Sequence, residues 1–132
     1  MIGIDTNVLV RFLVPYHPAQ SAAARSLFAE QKIAIAHTVL LEAEWVLRRS
    51  FKFGRQEIAS AFLGLLGLST VFCPRPEMVL NAIQAFEAGC DFADALHAAT
   101  SERGVTEFAT FDRDFAMQAR RHGLLPPVRL LL

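Results

Sequence analysis

The 132-residue chain predicts an α/β fold, a three-layer α/β/α sandwich around a mostly parallel sheet of four to five strands. Short apolar runs alternate with longer stretches of helical periodicity along the whole chain. The composition is 53% hydrophobic and only 20% charged, which excludes disorder. The length fits one domain, residues 1–132, large enough to bury a core, and no linker, repeat or low-complexity segment interrupts it.

Met1 to Asp5 is a short apolar run ending in Asp-Thr-Asn, which predicts a strand, central and buried, followed by a helix cap. Val8 to Val14 is a short helix stopped by Pro15, and Ala19 to Glu30 a second, with Ala23, Leu27 and Phe28 in helical spacing. Ile33 to Ala36 is a buried strand. A long helix follows from about Val39 to Phe53, with Gly54 as its C-cap. Gln56 to Leu66 is helical through Ile58, Phe62, Leu65 and Leu66, and Thr70 to Cys73 is a third strand closed by Pro74. Helices over Glu77–Ala88 and Phe92–Arg103 are stopped by Gly89 and Gly104. Glu107 to Thr110 forms the core of a fourth strand, a helix covers Arg113 to His122 up to Gly123, and Val128 to Leu132 adds an edge strand after Pro126-Pro127. Alternation of this kind implies a sheet covered on both faces.

Lys+Arg and Asp+Glu balance at 13 each, without the positive excess usual in a nucleic-acid-binding domain. That argument weakens if several acids are gathered at a metal site, because the remaining surface is then net basic. Cys73 and Cys90 have no CxxC spacing and read as buried thiols in a reducing cytoplasm. The start MIGIDTN has no charged n-region, so no signal peptide is expected. The longest uncharged run, Ile58 to Pro74, is broken by Gly64, Gly67, Ser69 and Thr70, so no membrane span is expected and the location is read as cytoplasmic.

Four acids, Asp5, Glu42, Asp94 and Asp112, fall just past a strand or in the first turns of a helix. In an open α/β sheet such places converge on the ligand crevice. Carboxylates gathered there repel one another and stay ionised only beside a cation. All-oxygen ligands suit a hard ion, Mg²⁺ or Mn²⁺, which points to an enzyme acting on phosphates. Each acid alone has a structural reading. Asp5 is a good N-cap, although Thr6 or Asn7 could serve instead. Glu42 and Glu44 flank the stripe of Val39, Leu40, Ala43, Val46 and Leu47 on opposite sides, and periodicity does not choose between them. Asp91 and Asp94 stand three apart on one helix face, as cap and capping-box acid. Asp112 or Asp114 caps the next helix.

The stretches Ile4-Asp5-Thr6-Asn7-Val8-Leu9, Leu41-Glu42-Ala43-Glu44-Trp45-Val46-Leu47, Asp91-Phe92-Ala93-Asp94-Ala95-Leu96-His97-Ala98-Ala99 and Ala109-Thr110-Phe111-Asp112 resemble the PIN-domain nucleases, and within them the VapC-type toxins of toxin–antitoxin pairs. The likeness runs from the first strand to the last, and all four acids are kept. It aligns Glu42, not Glu44, with the family's second acid. The resemblance implies a metal-dependent endoribonuclease in which one or two Mg²⁺ or Mn²⁺ ions on Asp5, Glu42, Asp94 and Asp112 activate water against an RNA phosphodiester, leaving a 5′-phosphate and a 3′-hydroxyl. Asp5 and Asp94 are the expected direct ligands. Thr6, Asn7 and Thr110 are implied polar partners of the carboxylates or of metal-bound water, with Asp91 and Asp114 as further nearby acids. Arg11 and Arg113, nearest the acids in sequence, are candidates to contact RNA phosphates. A VapB-like antitoxin and a homodimer or higher oligomer are the implied protein partners. A response-regulator receiver fails for want of an acidic pair after strand one and a phosphoacceptor Asp after strand three. A DxDxT phosphatase fails because Asn7 replaces the second Asp. A non-catalytic RNA-binding PIN domain typically lacks one or more of the acids.

Overall fold

Five short strands and seven helices alternate along the chain in the computed structural model, which describes every residue from Met1 to Leu132. The class is α/β and every strand pairing is parallel. Hydrogen bonding divides the strands into ladders of three and two. The chain clusters into two compact units, Met1–Pro76 and Glu77–Leu132.

The first unit holds β1 (Ile2–Gly3), α1 (Thr6–Leu13), α2 (Pro18–Glu30), β2 (Ile33–Ala34), α3 (His37–Ser50), α4 (Arg55–Leu66) and β3 (Val71–Phe72). Its ladder runs β1-β2-β3, with Ile2 opposite Ile33 and Ile33 opposite Val71. The central place belongs to β2, not to β1 as the sequence predicts. The reason is apolar burial: Ile33 and Ile35 are fully enclosed, whereas Ile2 is 40% exposed. Helix α1 packs on α2 and α3, and α3 on α4. Leu9, Val10, Leu40, Leu47, Ile58 and Phe62 fill the core, and the Phe12 and Phe28 rings stack at 3.7 Å between centroids.

Helix α3 stops three residues before its predicted end. Lys52 takes a left-handed φ of 59° and the Phe53 N–H returns to the Leu47 carbonyl, which reverses the chain. Gly54, the predicted C-cap, instead opens α4, its N–H donating to the Glu57 carboxylate at 3.0 Å.

The second unit holds α5 (Pro76–Glu87, from the preceding junction), α6 (Phe92–Ala99), β4 (Phe108–Thr110), α7 (Arg113–His122) and β5 (Val128–Leu130). Strands β4 and β5 pair with Phe108 opposite Val128 and Thr110 opposite Leu130, and α7 packs on β5. Edge-on ring contacts, Phe86 with Phe92 and Phe108 with Phe115, tie α5 to α6 and β4 to α7. Helix α6 ends at Ala99, short of the predicted Arg103. The Leu96 carbonyl accepts from both the N–H and the hydroxyl of Thr100, and the Ser101 hydroxyl takes the His97 carbonyl while its N–H turns to that of Ala98, which ends the helix. Gly123 closes α7 at φ 66°, as its position predicts.

No helix is long and apolar enough to cross a membrane. Cys73 and Cys90 are both buried and neither is in a disulfide, and burial pushes the Cys73 thiol up to about 11. We expect neither thiol to react with a thiol-directed reagent at neutral pH in the folded protein, and both to react in denaturant. Fast labelling of the native chain would show that these segments open.

Candidate functional site

Asp5 stands one residue beyond the end of β1, after Ile4, and is the N-cap of α1: its Oδ1 accepts from the Val8 N–H at 3.0 Å. The cap is therefore Asp5 itself, with Thr6 the first helical residue. Capping uses one of about four lone-pair sites on a carboxylate, so the structural role does not exhaust the group. The Thr6 hydroxyl donates to the Glu42 carboxylate, joining α1 to α3. Asp5, Thr6, Asn7 and Glu42 line one open pocket of about 340 Å³, whose other wall is Thr38, Val39 and Val46.

Glu44 has a different fate. It is buried, and its Oε2 accepts from the Arg48 Nε at 2.8 Å, one helical turn on. Periodicity leaves the two glutamates equivalent; these contacts separate them. We expect Glu44→Ala to cost about 1–2 kcal/mol, less than a fully buried pair because Arg48 is half in water. Glu42→Gln should leave the melting temperature near that of the wild type, because the amide oxygen still accepts from the Thr6 hydroxyl. Thermal melts check both, and the reverse pattern would exchange the two roles.

In the second unit Asp91 N-caps α6, its Oδ2 accepting from the Asp94 N–H at 3.0 Å. The Asp94 carboxyl is held above the ordinary carboxylate range, chiefly by burial, then by the negative charges of Asp91 and Asp112 and a side-chain hydrogen bond with Asp91. His97 partly offsets this. Asp112 N-caps α7, its Oδ1 accepting from the Phe115 N–H at 2.9 Å, while its own N–H donates to the Thr110 hydroxyl. Thr110 thus fixes the turn that presents Asp112. Asp114 is exposed in the first turn of α7.

No three His, Cys, Asp or Glu side chains form a group that could hold a metal ion. The donor chemistry nonetheless fits a hard divalent cation. The acids are all oxygen donors, and the repulsion felt by Asp94 is the kind a cation relieves.

The sequence model of the PIN domain matches residues 2–120. The chain belongs to the PIN domain family. No curated protein and no solved structure matches it significantly. PIN domains are generally nucleases, so membership supports a nuclease-type function acting on nucleic acid.

Basic side chains of this PIN domain have distinct settings. The Arg11 Nε donates to the Gln20 Oε1 at 2.8 Å, which fixes the side chain against α2. Arg113 lines a groove of about 410 Å³ with Arg120, Arg121 and the apolar Met117 and Leu130. Arg48 is engaged by Glu44, and Arg49 lies 5.8 Å over the Trp45 ring. Sequence reading missed Gln20, Thr38 and Val39 as pocket residues. Nothing in the local sequence marks them, because tertiary packing alone brings them to the acids.

Proposed function

We propose that this PIN domain is a Mg²⁺- or Mn²⁺-dependent endoribonuclease and the toxin of a type II toxin–antitoxin pair. The observation that carries the nuclease reading is the pocket shared by Asp5 and Glu42, in a chain that retains all four acids of the family's set. In this reading Asp5 and Asp94 are direct metal ligands, and Glu42 and Asp112 serve directly or through water. A cation bound there supplies water activation and charge neutralisation at the phosphodiester.

The chain's own groups prepare that chemistry. Thr6 holds the Glu42 carboxylate in one orientation, and the α1 cap holds Asp5. The α6 cap keeps the Asp94 backbone in place beside Asp91. Asn7 presents an amide to the pocket, and Arg11 and Arg113 supply positive charge for phosphates. An exposed Trp45 on α3 and an exposed Tyr16, edge-on to Phe51, offer apolar area to a VapB-like antitoxin or to a second copy of the chain.

The test is cleavage of total cellular RNA with Mg²⁺ or Mn²⁺, with EDTA and Asp5→Asn controls. Discrete products that vanish in both controls support the ribonuclease. Absence of cleavage by the folded, antitoxin-free chain under either metal would favour an RNA-binding PIN domain. Copurification of a small protein that inhibits the cleavage would support the toxin role, and its absence a nuclease of RNA processing.

A further inference from the structure

A second cavity of about 340 Å³ adjoins the acidic pocket and shares Asp5 and Asn7 with it. It lies where α1 packs on α2, and its size falls in the roughly 300–1,000 Å³ range of small-molecule sites. Its walls are apolar: Val8 from α1, and Ala23, Ala24 and Leu27 from α2. The two alanines carry nothing beyond Cβ, so the helices leave a slot here instead of filling it. The stacked Phe12 and Phe28 rings brace the same helix pair further along.

Arg11 and Gln20 add polar groups to this lining. Arg11 donates through Nε to the Gln20 Oε1, which uses one guanidinium N–H and one of the two lone pairs of the amide oxygen. The Arg11 Nη hydrogens that remain are all donors, held in the fixed fork of the guanidinium. An apolar slot lined by that fixed fork fits a heteroaromatic ring with two adjacent acceptors on one edge. Among the nucleobases guanine offers this through O6 and N7, whereas adenine N6 and cytosine N4 would set donor against donor. An unpaired base of single-stranded RNA can be splayed into such a slot.

We infer that this cavity is a guanine-binding subsite, which takes the base next to the phosphodiester that is cut at the Asp5–Glu42 pocket. The inference rests on the nuclease reading of the Asp5–Glu42 pocket and extends it to substrate choice.

Two measurements separate the subsite from the nuclease reading. In the first, the full chain is titrated with each of the four nucleoside 5′-monophosphates in metal-free buffer and followed by NMR. Guanosine monophosphate should shift the Val8, Ala23, Ala24 and Leu27 signals and bind at least about fivefold tighter than the other three. Arg11→Ala and Ala23→Phe, the latter at an exposed position that blocks the slot without burdening the core, should each bring that preference to near unity. In the second, kcat/KM is compared for four RNA oligonucleotides differing in one nucleotide beside the cut, with the same preference expected for guanine and the same loss in the variants. Equal affinities, shifts elsewhere on the chain, or variants that weaken all four nucleotides equally would overturn the subsite. Cleavage without base preference would overturn it as well and leave the nuclease standing. Guanine-selective binding at the slot with no RNA cleaved would uphold the subsite and remove the nuclease reading.

Discussion

Asp5→Asn is expected to lower cleavage by more than about 100-fold in kcat/KM while the fold persists. Replacing groups one step removed from a metal typically costs about 10–100-fold, which sets a floor for a direct ligand. The fold should persist because Asp5 has two separable roles. As N-cap it accepts from the Val8 N–H, and Asn fills that role about as well as Asp. As a proposed ligand it needs its negative charge, which the amide lacks. Asp5→Ala separates the roles from the other side, losing the cap as well as the charge and therefore about 1 kcal/mol of stability. Melting curves and cleavage rates of both variants, taken side by side, check the partition. Wild-type-like cleavage by Asp5→Asn would remove Asp5 from the mechanism.

The order of strands and helices is readable from the sequence because each element carries its own local signal. Apolar runs at Ile33 and Val71, the stripe through Ile58, Phe62 and Leu65, and the stop at Gly123 all act over a few residues, and the structure has them where the pattern places them. What local pattern cannot supply is the long-range choice. That β2 and not β1 sits centrally in its ladder depends on which strand finds neighbours on both sides, far away in sequence. The end of α3 turns on Lys52 accepting a left-handed conformation that a glycine two residues later would take more readily. The same division holds for the acids. Asp91 as a cap is visible in the sequence, but the distinction of Glu42 from Glu44 rests on Thr6, 36 residues away, and on the pair with Arg48. The hydrogen-bonded pair Arg11–Gln20 spans the α1–α2 turn and has no sequence signature at all.

Asp94→Asn is expected to lose cleavage to a similar extent and, without metal, to make the protein more stable. The sign follows from the raised carboxyl. Burial, then the charges of Asp91 and Asp112, disfavour its ionised form in the folded chain, less the opposing effect of His97. The folded state therefore binds this proton more tightly than the unfolded state does. The stability it contributes is fully present below the ordinary value of 3.8 and is lost as pH rises through the raised value. An amide at this position has no charge to bury and no repulsion to bear, and the backbone N–H that Asp91 caps is unchanged. In EDTA the variant should melt at or near the wild-type temperature around pH 4 and above it near pH 7, the gap opening across that interval. Addition of Mg²⁺ should raise the wild-type melting temperature, because an ion that binds only the folded state stabilises it, and should leave the variant nearly unmoved. A gap that does not change with pH would show that Asp94 acts through packing and not through charge. Equal stabilisation of both proteins by Mg²⁺ would take Asp94 out of the proposed ligand set. The combination of greater stability with lost cleavage would mark Asp94 as a residue kept for its charge at a cost to the fold.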